Sequence, residues 1–156
     1  MSRTRLQILE RAMLHVGHLE TSENDSILIR AWLRLCGVLV PAPWCAAFAS
    51  WCLGVAQAGA VALGRLFPAT NEPEPGDLMW FETGSWQGHC GVVVLVEAWR
   101  VLCIEGNSAN RVRYVWRRRD QVKFARTCDA PYVGDIYPPV SALDAPTVLV
   151  QMAGTR

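Results

Sequence analysis

The chain lacks most of the features that assign a protein to a function class at a glance. Its formal net charge is +1 over 156 residues, so no global field of either sign draws it toward nucleic acid. Long apolar runs are missing too. Stretches such as Gly91 to Val96 and Val38 to Val40 fall far below the roughly 18 residues that a membrane span requires. The opening MSRTRLQILERAMLHVG carries basic residues, but Gln7, Glu10, Arg11 and His15 interrupt any signal-peptide core, and no export signal is read there. The six cysteines, at positions 36, 45, 52, 90, 103 and 128, include no CxxC pair. That disfavours a four-ligand zinc site, and the placement of three of them within apolar periodic segments reads as buried reduced thiols rather than a disulfide framework. No internal repeat or low-complexity tract is present.

What the chain does have is a hydrophobic share of 51%, enough for one domain with a full core at a length too short for two. Leu6, Leu9, Met13 and Val16 recur at helical spacing before Gly17, and Ile27 to Cys36 repeats the pattern before Gly37, which predicts two amphipathic helices. After Pro41 and Pro43, positions 45, 48, 52 and 55 share one face of a third helix running to about Gly59. From residue 71 the texture changes. NEPEPGD is a turn cluster, and it launches short segments at Leu78 to Phe81, His89 to Glu97, Val101 to Glu105, Arg111 to Arg118 and Val122 to Arg126. Helices followed by strands predict an α+β fold, with the N-terminal helices packed on an antiparallel sheet of about five strands. Residues 1–126 form the predicted domain, and 127–156 a Pro-containing C-terminal tail that wraps or frays.

Within PWCAAFASWC two cysteines compete for chemical significance. A thiol is a nucleophile only as thiolate, and a helix N-terminus favours that anion through its partial positive charge and unpaired N–H groups. Cys45 has that position, whereas Cys52 lies two turns further in and reads as core. Of three histidines, His15 and His18 on or beside the first helix read as surface or capping residues. His89, between Gly88 and the apolar strand in QGHCGVVV, is the candidate base. A third group must orient it. Glu105 and Asn107 in VLCIEGNSAN, two residues apart in extended chain, face the same side, and either could hold the imidazole from the next strand.

In this order PWCAAFASWCL, EPGDLMWF, GHCGVVV and CIEGNSAN resemble the CHAP family, the cysteine- and histidine-dependent amidohydrolases and peptidases of peptidoglycan. The likeness runs from about the second helix to Arg126 and implies a papain-like catalytic domain. Carried over residue by residue, it makes Cys45 the nucleophile, His89 the base, Glu105 the acidic third member and Asn107 an auxiliary polar residue. Cys90 departs from the aliphatic residue that usually follows the histidine, and Cys103 is an extra thiol. Strand alternation is expected to turn Cys90 away from His89, leaving the triad intact.

The resemblance further implies a reaction through a thioacyl enzyme. The oxyanion would be met by N–H groups at the start of the third helix, while the residues themselves show no spacing for a cofactor or metal. Trp44 and Trp86 are expected to line the substrate groove. LETSENDS has acidic residues but no EF-hand spacing, and reads as a solvated capping loop. Arg111, Arg113 and Arg117 to Arg119 read as a charged edge strand, or else as a basic strand drawn to anionic wall polymer. The expected substrate is peptidoglycan, cut as an N-acetylmuramoyl-L-alanine amidase or a peptide endopeptidase, by a monomer without nucleic-acid or membrane partners. With no export signal read, a phage lysin reaching the wall through a holin ranks ahead of a virion-associated lysin or an injected effector. A catalytically silent muropeptide-binding relative is the alternative from a different class.

Overall fold

The structure is a computed structural model that describes residues 3–129. Four helices come first, α1 Arg5–Leu14, α2 Ile27–Leu35, α3 Cys45–Leu53 and α4 Ala60–Arg65, followed by strands β1 Leu78–Glu82, β2 Gly88–Val96, β3 Arg100–Ser108, β4 Arg111–Arg118 and β5 Lys123–Ala125. The strands form one sheet in the order β4-β3-β2-β1-β5, with antiparallel pairing throughout. This is the α+β arrangement expected from the sequence.

The first two helices start where side chains satisfy the free N–H groups of the first turn. Thr4 accepts from the Gln7 backbone while Gln7 Oε1 accepts from the Thr4 backbone, a reciprocal capping box. Ser26 Oγ accepts from Ile29 N at 3.0 Å to open α2. α3 differs from the expectation in two ways. It ends at Leu53, where Gly54 takes a left-handed conformation at φ 80°, a backbone state that other residues enter at a cost. The stretch read as its last turn is instead a connection to α4, which opens at Gly59 and had no separate signal in the sequence. Nor is α3 one-faced, because residues 45 to 50, 52 and 53 are all buried. It is the central helix, with α1, α2 and α4 around it and β2 and β3 beneath.

Sheet parity divides the core. Val92 and Val94 of β2, Leu102 and Ile104 of β3, and Val112, Tyr114 and Trp116 of β4 join the helices in the main cluster. Met79, Val93, Val101, Cys103 and Phe124 form a smaller cluster of their own. The turn motif before β1 has a structural reason. Asp77, fully buried, accepts from Glu74 N at 2.9 Å and Thr127 N at 3.1 Å and pairs with Arg5 of α1. One carboxylate thus ties the first helix, the entry to the sheet and the segment after β5 together. Thr127, the first residue of the segment read as a tail that wraps or frays, is bonded to Asp77 and Gly76. The rest of that tail, from residue 130, lies outside the described residues.

Candidate active site

Cys45 is the first residue of α3, and its N-cap, Trp44, makes no side-chain capping bond. The N–H groups of the first turn therefore remain available at the helix end where the dipole favours an anion. Cys45 is 7% exposed, and it opens into a cleft of about 420 Å³ bordered by Leu33, Pro43, Ala60, Thr83, Trp86 and Gln87 among others. Apart from Cys45 itself, none of the described residues lining that cleft carries an ionisable side chain.

His89, near the start of β2, is hydrogen-bonded to the Cys45 side chain. Its Nε2 is 2.7 Å from Glu105 Oε2, which leaves Nδ1 for the thiol. Glu105 is fully buried in β3, and Arg117 of β4 donates to both of its oxygens, Nε to Oε1 and Nη2 to Oε2, each at 2.7 Å. Such a two-bond fork fixes the carboxylate plane as well as its charge. Phe81 of β1 completes the site, with its ring 5.7 Å from that of His89 and 5.1 Å from the Arg117 guanidinium.

Glu105 can reach His89 because of a missing side chain. A Cβ at Gly91 would stand 2.6 Å from Glu105 Cγ and 2.9 Å from the Ile104 carbonyl oxygen. Glu105 is pinned at its far end by Arg117 and His89, and the carbonyl belongs to the sheet, so neither yields cheaply. Gly91→Ala is expected to cost about 1 to 3 kcal/mol of stability and to weaken the His89–Glu105 bond. Urea unfolding checks the first effect, and the imidazole NMR shifts check the second.

The charges reinforce one another. Burial alone would raise Glu105, but the charge of His89 and the hydrogen bonds of Arg117 outweigh it and hold the carboxyl at about 2. Burial would likewise lower His89, but the Glu105 charge and the bonds to Cys45 and Glu105 lift it to about 10. Cys45 is held well below the ordinary thiol value, first by a hydrogen bond from the Cys90 thiol, then by His89 through bond and charge, with burial opposing. Both shifts run in the direction that favours a thiolate beside an imidazolium. By contrast, burial pushes Cys52 and Cys103 far up. Iodoacetamide is therefore expected to label Cys45 in the native protein at a rate nearly flat from roughly pH 6 to pH 8, with Cys52 and Cys103 protected until denaturation. A rate rising about tenfold per pH unit across that range would mark an ordinary thiol and contradict the ion pair.

The other residues singled out from the sequence fare differently. Trp86 is 76% exposed at the cleft mouth, where a groove residue was expected. Trp44 is fully buried, its Nε1 donating to Glu20 Oε1 at 2.7 Å and its ring packed 5.8 Å from Trp32. It anchors the start of α3 to the polar loop before α2 and does not line the groove. Asn107 does not share the Glu105 face by simple alternation, because the pairing register shifts between Glu105 and Ser108 and Asn107 sits at φ 55°. Glu105, not Asn107, meets the imidazole. His15 packs edge-on against Trp32 and Trp51, and His18 Nε2 lies 2.8 Å from Ser26 Oγ.

Two contributors escaped the sequence reading. Arg117 was read as one of a row of edge-strand charges, yet it shares its face with Arg113 and Val115, opposite Val112, Tyr114 and Trp116. That parity was legible, and a buried carboxylate on the adjacent strand demanded a cation. Gly91 carried no sign of its own. Cys90 is turned by alternation away from His89, as expected, onto the face that packs against the helices, in the cluster that also holds Cys45. Cys36, expected to be buried, is half-buried, and all six cysteines are free thiols.

Comparison with known proteins is narrow. No curated protein and no solved structure matches the chain. A family model does match, over residues 39–107, from just before α3 to the end of the segment holding Glu105 and Asn107. The model is that of the CHAP domain, and residues 39–107, which contain the cysteine at the helix start, the histidine of β2 and the buried glutamate of β3, are therefore similar to the domain of a family of cysteine- and histidine-dependent amidohydrolases and peptidases.

Proposed function

We propose that this protein is a peptidoglycan hydrolase that cuts an amide bond, as an N-acetylmuramoyl-L-alanine amidase or a peptide endopeptidase, through a thioacyl intermediate on Cys45. The observation that carries the reading is the Cys45 side chain bonded to His89 at the uncapped start of α3, with His89 held by a buried Glu105.

The chemistry follows from those positions. The Cys45 thiolate attacks the carbonyl carbon, and the oxyanion that forms is met by first-turn N–H groups of α3, including that of Cys45 itself. His89, protonated at neutral pH because it is held at about 10, gives its proton to the leaving amine. The imidazole, now neutral, takes a proton from water as the water attacks the thioester, and it keeps that proton as Cys45 leaves as a thiolate, which restores the starting ion pair and releases the acid. Glu105 keeps Nε2 engaged throughout, so Nδ1 stays aimed at the reacting atoms. The uncharged cleft suits a peptide stem of small neutral residues, and Trp86 at its mouth offers an aromatic face to a sugar ring or peptide edge.

A muropeptide-binding relative without activity is the rival. A binder has no use for a thiolate–imidazolium pair, which disfavours it. Purified sacculi separate the two readings. Wild-type protein is expected to clear their turbidity and release soluble fragments, whereas co-sedimentation with intact sacculi and no release would establish the binder.

A further inference from the structure

The arginines at 117, 118 and 119 have different partners. Arg117 holds Glu105, and Arg118 is paired with Asp120, Nε to Oδ1 at 3.0 Å and Nη2 to Oδ2 at 2.6 Å. Arg119 is held by backbone carbonyls instead, Nη1 by those of Glu97 and Ala98 at 3.2 and 3.4 Å and Nη2 by that of Asn71 at 3.2 Å. Thus fixed, it borders a second cavity of about 670 Å³, larger than the cleft beside Cys45. Arg65 and Lys123 border the same cavity, and both reach for one oxygen, Glu82 Oε1, at 3.3 and 3.2 Å. With Arg118 included, four cations here face two paired carboxylates, Glu82 and Asp120. Phe67 and Trp80 give the cavity an apolar floor, and a Cβ at Gly64 would stand 2.3 Å from the Trp80 ring, so α4 rests directly on the indole.

Two stretches of chain join this cavity to the cleft. α4 carries Ala60 in the cleft wall and Arg65 in the cavity wall, at opposite ends of a helix of six residues, about 9 Å long. β1 ends on Glu82, and the next residue, Thr83, lines the cleft. Charge is divided between the two spaces. Cys45 is the one ionisable group among the described residues of the cleft, whereas the excess cations gather in the cavity.

We propose that the cavity is a subsite for a carboxylate of the peptide stem whose amide bond is cut in the cleft. Peptide stems of peptidoglycan carry free carboxylates, and a cleft without cations would strip them of water with no compensation. About three residues of extended chain span the length of α4. An amide can therefore lie at Cys45 while a carboxylate further along the same stem reaches the cations. Arg119 is already positioned by its carbonyl partners, which lowers the cost of ordering it around a ligand. Those bonds do not exhaust the N–H donors of a guanidinium, so some are left for the carboxylate. Arg65 and Lys123 share a single oxygen of Glu82 and take up a second anion beside it. The apolar floor receives the aliphatic part of the residue that bears the charge. This inference rests on the proposed peptidoglycan substrate and adds where the charge of that substrate goes.

Calorimetry on Cys45→Ala, in which nothing is turned over, tests it with two probes, synthetic N-acetylmuramoyl pentapeptide and the same compound with every carboxyl converted to a carboxamide. The amidated probe is expected to bind at least about tenfold more weakly. Arg65→Gln, Arg119→Gln and Lys123→Gln, each added singly to Cys45→Ala and checked by thermal melting, are expected to weaken binding of the acid about two- to fivefold and to leave the amidated probe unaffected. Glu82→Gln is expected to act the other way and tighten binding of the acid about two- to fivefold, because it releases Arg65 and Lys123. Weaker binding from Glu82→Gln as well as Lys123→Gln would mark ion pairs that serve only the fold. That result, equal binding of the two probes, binding of neither, or tighter binding of poly(glycerol phosphate) than of the acid would overturn the proposal. Charge-dependent binding as expected, in a protein whose wild type cleaves no amide, would uphold the subsite and sink the proposed hydrolysis alone.

Discussion

Cys45→Ala is expected to lose essentially all hydrolysis of sacculi, a drop of about 10³-fold or more in kcat/KM, with thermal stability changed by no more than about 1 to 2 kcal/mol. The small side chain removed opens little space, while the group lost is the only one that forms the covalent bond. Residues that act as a unit lose activity together, so adding His89→Ala to Cys45→Ala is expected to cost little further. Multiplying losses in the double variant would show that His89 acts on a different step or a different substrate. Lysis by Cys45→Ala itself would remove the mechanism outright.

Arg117→Met should have the largest effect on stability. Glu105 is fully buried, and Arg117, with its side chain 16% exposed, supplies two of its hydrogen bonds. Deleting one partner of a buried pair leaves an uncompensated charge, at a cost of about 3 to 5 kcal/mol, here toward the lower end because His89 remains. The pH dependence distinguishes this from simple loss of packing. A carboxyl held at about 2 in the fold but near about 4.3 when unfolded contributes stability that is fully present above the unfolded value and is lost as pH falls toward 2. Removing Arg117 takes away much of that contribution. The difference between variant and wild type in urea unfolding is therefore expected to be widest at neutral pH and to narrow steadily below about pH 4. A gap independent of pH would mean that Arg117 matters through its guanidinium over the Phe81 ring rather than through the carboxylate.

Particular residues show why some of this was legible in the sequence and some was not. Local signals sufficed for α1 and α2, since apolar residues at helical spacing stop at Gly17 and Gly37. They sufficed for Cys45 as well, because the prolines before it leave few other places to begin a helix. The end of α3 was misplaced because its apolar pattern runs on past Gly54, where only the left-handed backbone breaks it. α4, six residues without a polar face, gives no periodic signal of its own. At the site, the order of cysteine, histidine and acid was legible, but relationships across strands were not. Asn107 lost the position that alternation assigned it because a register shift intervenes after Glu105. Arg117 was hidden among four other arginines until the pairing of β3 with β4 set it beside Glu105. Trp44 owes its burial to Glu20, a partner 24 residues away.

The central claim is that Cys45 and His89 open an amide bond of peptidoglycan, and mass-spectrometric sequencing of sacculus digests tests it most directly. Wild-type protein is expected to release fragments in which one amide has become a free amine and a free carboxyl at a single type of bond, and Cys45→Ala is expected to release none. Fragments carrying new reducing sugar ends, or the same fragments from Cys45→Ala, would contradict it.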